Sequence, residues 1–216
     1  MSNEDSPADV PRSTYRHGDL RRALLEAGLA LAREGGPDAI VLREATRRAK
    51  VVPNAAYRHF AGHRELFDAV RAAALGALAK AIELEWDKAD AIPDAAERAR
   101  AQLSAVGAGY MGFAQAETGL FRTAFAPRQR EGALQGDPAR TGSKGLGPFG
   151  LLNAALDAMV QTGALPAERR PGAEYLAWSA VHGMALLIID GPLHSAPAET
   201  REALGKRLLH MVERGL

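Results

Sequence analysis

The sequence predicts an all-α protein, in which an N-terminal three-helix helix-turn-helix unit is followed by a larger helical body. Three observations carry this prediction. Apolar residues recur at helical spacing in one segment after another, and no region shows the two-residue alternation of a strand. Near the N-terminus, three helical segments fit within about 45 residues, the last two short and joined by only four. With 216 residues, 47% of them hydrophobic, the chain is long enough to bury a core as one unit or as two unequal ones.

Each element has its own signal. Residues 1–14 are polar and are expected to form a flexible arm. From residue 19 to about 34, Leu20, Leu24, Ala27 and Leu31 keep helical spacing until Gly35-Gly36-Pro37 stops the pattern. LREATRRA at 42–49 is a second segment, followed by the tight passage KVVP. A third opens at Pro53 or Asn54, where a proline loses no needed hydrogen bond, and closes near Phe60. These segments make a unit spanning 15–62, and 63–216 a second unit.

A long helix over about 63–88 carries Leu66, Phe67, Val70, Ala74, Leu78, Ala81 and Ile82 on its apolar stripe, long enough to connect the two units. Ile92-Pro93-Asp94 reads as a break and restart, with a helix over 95–116 and a shorter segment over 119–125. Residues 127–147, with Pro127, Pro138 and glycines at 132, 136, 142, 145 and 147, predict a mobile loop. Helical periodicity returns over 148–162, 171–189 and 198–214.

Charge is unevenly placed. The formal net charge of +1 hides eleven basic against five acidic residues between Val10 and Arg64, whereas the rest of the chain is slightly acidic. A compact basic unit on an acidic body suits a module that meets phosphate. Cysteine is absent, which excludes disulfides, thiol catalysis and cysteine-ligated zinc. The six histidines lack metal-ligand spacing, and no HExxH, GxSxG or phosphate-loop sequence is present, so no metal, cofactor or enzymatic activity is expected. The longest strongly apolar run, GMALLII at 183–189, is too short to span a bilayer, and the acidic start does not resemble a signal peptide. A cytoplasmic protein without a membrane partner is the expectation.

The third segment, VVPNAAYRHF, can approach base edges closely because Ala55 and Ala56 are small. Asn54 is the best candidate to read a base, with Tyr57 and His59 better placed for phosphates. Pro53 and Arg58 belong to the same surface, as do Arg16, His17, Arg43, Arg47, Lys50 and His63 around it. Each has a plainer reading: Asn54 as a helix cap, Tyr57 and His59 bonded within the fold, the arginines as a solvated face.

The stretch YRHGDLRRALLEAGLALAREGGPDAIVLREATRRAKVVPNAAYRHFAGHRELFDAV resembles the N-terminal module of the TetR family of bacterial transcriptional regulators. Gly18-Asp19-Leu20, Leu42-Arg43-Glu44 and Tyr57-Arg58-His59-Phe60 carry that resemblance. Farther on, LAWSAVHGMALLIIDG, through Trp178, His182 and Gly183, is similar to the Trp/His-Gly segment of one C-terminal subclass, and FAQAETGLFRTAF at 113–125 fits it more loosely. The resemblance implies a DNA-reading head, a homodimer built on the last two helices, a roughly palindromic operator and a body that senses a small molecule, acting as a ligand-released repressor; the aromatic and polar residues named below for the sensing site suit a largely apolar one. A ligand-binding dimer with weakened DNA binding is the alternative, and an enzyme a more distant one.

Four positions depart from the family pattern. Val41 and Val52 stand where Ser or Thr often caps a helix, Thr46 where a small alanine is common, and Lys50 where a turn glycine is usual. A lysine at a positive-φ position costs about 1 kcal/mol. His63 replaces a frequent lysine. For the sensing site, the polar and aromatic residues on apolar faces are Tyr110, Phe113, Gln115, Phe121, Asn153, Met159, Trp178 and His182. For the dimer, Val181, Leu186 and Ile189 on one helix and Leu204, Leu208 and Val212 on the last offer the apolar surface.

Overall fold

The structure is a computed structural model that describes residues 17–127 and 137–216. The side chains of residues 17–19 and 53 are outside that description. The expected arm at 1–14 and Arg16 fall outside it too, as does the central part of the expected loop. Among the described residues the fold is all-α: α1 (His17–Gly35), α2 (Leu42–Arg48), α3 (Pro53–Ala56), α4 (His63–Ala89), α5 (Ala95–Ala116), α6 (Thr118–Phe125), α7 (Pro148–Gln161), α8 (Ala173–Ile189) and α9 (Ala198–Gly215), with 3-10 turns at Pro37–Ala39, Pro138–Arg140 and Ala167–Arg169. No described helix is long and apolar enough to cross a membrane.

Helix boundaries follow local chemistry. Asp94 caps α5 by accepting the Glu97 backbone N–H at 2.8 Å, satisfying one of the donors a helix start leaves orphaned. The Glu65 carboxylate performs a similar task ahead of α4, accepting the Ala61 N–H at 2.7 Å. The α3 helix is shorter than its sequence pattern suggested, ending at Ala56 rather than near Phe60. The reason is that Arg58 and His59 donate to the carbonyls three residues back, at Ala55 and Ala56, which tightens the chain into turns.

The 27-residue α4 is the spine, packing on α1 at one end and on α5 along much of its length. Glycines let it be approached closely. A Cβ on Gly28 of α1 would lie 2.6 Å from Val70, and one on Gly109 of α5 would lie 2.6 Å from the Ile82 backbone. One apolar cluster runs from Leu24 in α1 through Leu66, Leu78 and Ile82 of α4 to Leu120, Leu156 and Ile188.

Residues 137–147 correct the expectation of a mobile loop, for they form an ordered strap across α4. The buried Glu83 carboxylate accepts the Ser143 and Lys144 backbone N–H groups at 2.7 and 2.8 Å. Lys144 pairs with Asp87 at 2.9 Å. Gly76 of α4 lies against the Ala139 carbonyl, where a side chain would collide. Glycine and proline richness here serves close packing and tight turning, Gly145 having φ 74°.

Candidate functional site

The first site is the exposed surface around α3. Ala56 and Phe60 are fully buried and fasten it to the core, with the Arg21 guanidinium 5.0 Å from the Phe60 ring centre. Outward from that anchor, Asn54, Tyr57, Arg58, Arg43, Lys50 and His63 are exposed, and Ala55 and His59 partly so. Tyr57 leaves 59% of its surface to solvent, so packing does not account for its ring. His17 lies in α1 and Pro53 opens α3.

The turn between α2 and α3 is closed by a Schellman arrangement. Val51 N–H donates to the Thr46 carbonyl and Lys50 N–H to that of Arg47. Lys50 occupies the left-handed position of this motif with φ 55°, the one non-glycine residue with positive φ among the described residues. Thr46 is buried and donates its hydroxyl to the Arg43 carbonyl at 2.6 Å, so its added polar group has a partner. Val41 caps α2 with no side-chain bond, and Asn54, inside α3, is past the position from which a side chain caps that helix.

The arginines of α2 are not equivalent. Glu44 accepts from Arg47 at 2.7 and 2.8 Å and from Arg48 at 3.1 Å, and Arg48 also reaches Glu34 of α1 at 2.6 and 2.7 Å. The Arg47 and Arg48 hydrogen bonds hold the Glu44 carboxyl at about 2. Arg47 remains exposed but carries its own counterion, whereas Arg43 projects without that carboxylate.

The second site is a cavity of about 1180 Å³ in the body, bordered among the described residues by α4, α5, the end of α6, the strap, α7, α8 and α9. Its wall is mainly apolar, with Leu75, Leu103, Phe149 and Leu209 among the residues facing it. Tyr110 and Trp178 line it as well. The Tyr110 oxygen accepts the Trp178 Nε1–H at 3.2 Å and lies 2.7 Å from His182 Nδ1. An indole N–H can only donate, so the phenol oxygen is the acceptor of the Trp178 bond, while the phenol and the imidazole share a second hydrogen bond. Burial pushes the Tyr110 phenol up and the His182 imidazole down, keeping both neutral. Phe121 packs edge-on to Tyr110 at 5.3 Å, and Phe125 lies 5.1 Å from His182.

The structure thus gathers Tyr110, Phe121, Trp178 and His182, the first and third on the cavity wall and the other two behind it. The other four sensing candidates lie elsewhere. Phe113 and Met159 are packed into the core, off the cavity. Gln115 is exposed and donates to the Met111 carbonyl. Asn153 accepts from Arg170 at 2.7 Å in a network that also holds Asp157 and Glu174.

Sequence reasoning missed the strap residues and Arg71, which is 3% exposed yet lines the cavity. A signal existed: Arg71 stands in register with Leu75, Leu78 and Ile82 at helical spacing, an arginine on an apolar stripe.

Of the dimer candidates, Val181 and Ile189 are buried within the subunit, because α8 turns them onto its own core. Leu208 and Val212 pack on that core as well, and Leu204 is half-buried. Leu186 is exposed, and the open face of α8 and α9 consists of Leu176, Leu186, Leu187 and Met211, each between 41% and 64% exposed.

The two sites are joined through α6. Gly119 packs on the Ala32 and Arg33 carbonyls of α1, and Glu117 pairs with Arg33 at 3.0 Å. One turn later, Ala124 and Phe125 form part of the cavity wall. Arg122 pairs with Asp190 at the end of α8.

Residues 24–70 match the family model for bacterial regulatory proteins of the tetR family, and residues 103–212 match that for a Tetracyclin repressor-like C-terminal domain. A protein of unknown function from Rhodococcus sp. RHA1 is similar in structure, with a TM-score of 0.68, 25% identity, and coverage of 95% of this chain and 99% of that one. The transcriptional regulator FadR from Bacillus subtilis, solved in complex with stearoyl-CoA, shares the fold with a TM-score of 0.63 and 14% identity over 90% of this chain and 98% of that one. No curated protein matches the sequence.

Proposed function

The chain belongs to the TetR family of DNA-binding transcriptional regulators, which are not enzymes, and from that premise we propose that it is a homodimeric repressor released from its operator by a small, largely apolar molecule. In this reading residues 15–62 are the DNA-reading head and 63–216 the sensing and dimerising body. The α3 helix enters the major groove, Asn54 and Ala55 face base edges, and Tyr57, Arg58, His59, Arg43 and Lys50 grip phosphates. Two subunits join through the open apolar face of α8 and α9, where Ser179 and Gly183 allow close helix approach. Two identical heads then call for a roughly palindromic operator.

The observation that carries the reading is the double attachment of α6, locked to α1 at Gly119 and Glu117 and exposed to the cavity at Ala124 and Phe125. A ligand that fills the cavity displaces the end of α6 and, through α1, resets the spacing of the two recognition helices. That the similarly folded FadR was solved with stearoyl-CoA supports an effector with substantial apolar surface. The positive φ of Lys50 and the uncapped start of α2 favour a second reading, a ligand-binding dimer with weakened DNA affinity.

Titration of an operator duplex, with and without small-molecule extracts, tests the proposal. An extract component that quenches Trp178 should weaken DNA binding; one that occupies the cavity and leaves DNA affinity unchanged overturns the release mechanism.

A further inference from the structure

Among the described residues of the head, the large apolar side chains left open to solvent are Val41, Val52 and Tyr57, with Val52 the most open at 68%. All three border α2 and α3, whereas the described leucines of α1 are buried or half-buried. The backbone holds Val52 on both sides. Its neighbour Val51 packs against the core and donates its N–H to the Thr46 carbonyl at 3.1 Å, and the Val52 carbonyl accepts the Ala55 N–H at 3.0 Å. Pro53 follows and disfavours helical backbone at Val52, and a β-branched side chain has few rotamers to choose from. Val52 is thus a rigid apolar knob, one turn before the partly exposed Ala55 of α3.

Exposed Lys50, Asn54 and Arg58 flank it in the chain, so whatever covers Val52 also meets positive charge and an amide. A DNA duplex offers the complement, with phosphates at the rim of the major groove and base edges on its floor. On that floor the apolar group is the C5-methyl of thymine. The other edges present donors and acceptors, which an apolar side chain would strip of water without replacing the lost hydrogen bonds.

We propose that Val52 reads a thymine, packing its two methyl groups on the C5-methyl of that base in the major groove. The inference rests on reading α3 as the helix that enters the groove, and it adds a residue that sets sequence preference in each half-site. Val52 forgoes the side-chain cap that Ser or Thr at this position would give α3 and presents an apolar surface instead. Because its backbone and rotamer are fixed beforehand, little conformational freedom is lost when the contact forms.

The test uses the full chain and the operator duplex it selects from genomic DNA. Each thymidine is replaced in turn by deoxyuridine, which removes the C5-methyl and leaves base pairing unchanged. For the parent, one position per half-site should lose affinity about fourfold, the worth of one buried methyl-sized group, and replacement in both half-sites about fifteenfold. Val52→Ala should bind the thymidine and deoxyuridine duplexes alike at that position, and Val52→Ile should keep the discrimination of the parent. Each ratio is taken within one protein, so a change in the stability of a variant cancels.

A parent indifferent to every deoxyuridine, or a Val52→Ala variant that still discriminates at the same position, overturns the proposal and leaves operator binding by the head intact. A chain that selects no DNA overturns operator binding itself, and the methyl contact with it.

Discussion

Gly119 of α6 lies directly against the carbonyl oxygen of Ala32 in α1, with no room between them for even a methyl group. The contact is backbone on backbone, so no flexible side chain can yield. Gly119→Ala must push α6 away from α1 at a cost of about 1–3 kcal/mol. The outcome expected is a lower thermal midpoint, together with weaker dependence of DNA affinity on cavity ligand. A variant as stable as the parent would show that the helices are not held at this spacing.

Lys50 bears a strain that glycine would relieve. At φ 55° the side chain opposes the backbone, while the Schellman hydrogen bonds require that conformation. Lys50→Gly should raise stability in denaturant titrations by about 0.5–1 kcal/mol, the relief being partly offset by the greater freedom of glycine in the unfolded chain. The same change should weaken DNA binding through a lost phosphate contact. Loss of stability would mean that the lysine makes a compensating interaction.

Glu44 tempers the charge of α2 by holding Arg47 and Arg48. Glu44→Gln removes a negative charge beside the DNA-facing surface and loosens Arg47. The plot of log affinity against log salt should steepen by about one unit if Arg47 then gains a phosphate. An unchanged slope would place Arg47 away from the DNA backbone.

Burial lowers the His182 imidazole from its ordinary value of 6.5, so the unfolded chain takes up this proton before the folded one does. Stability conferred by the neutral, buried ring is therefore present above pH 6.5 and declines as pH falls below it. Melting curves at pH 7.5 and 5.5 should show a drop for the parent that His182→Gln reduces. An identical drop in the variant would assign the effect to other groups.

Much of this arrangement was legible in the sequence, for definite physical reasons. Leu24, Leu31, Leu66 and Val70 keep helical spacing and are buried in the structure. The head could be recognised because Gly18-Asp19-Leu20, Leu42-Arg43-Glu44 and Tyr57-Arg58-His59-Phe60 stand in the order and spacing of the family's N-terminal module, and the structure buries the Phe60 ring while leaving Tyr57 and Arg58 exposed. The α3 helix was overextended because local composition does not reveal that Arg58 and His59 bond three residues back. Glycines and prolines at 137–147 were read as freedom, when the buried Glu83 carboxylate, 60 residues earlier in the chain, holds that backbone in place. Val181 and Ile189 illustrate the same limit: α8 is apolar on more than one side, and apolarity alone does not say which face its own subunit covers.

The most direct measurement is selection of genomic DNA fragments by the purified chain at physiological salt, for the parent and for Tyr57→Ala. The account predicts enrichment of a near-palindromic sequence whose half-sites lie one helical turn or a small multiple apart, with enrichment lost in the variant. A correctly folded dimer that enriches no sequence, or a Tyr57→Ala variant that enriches the same sequence as well as the parent, would contradict it.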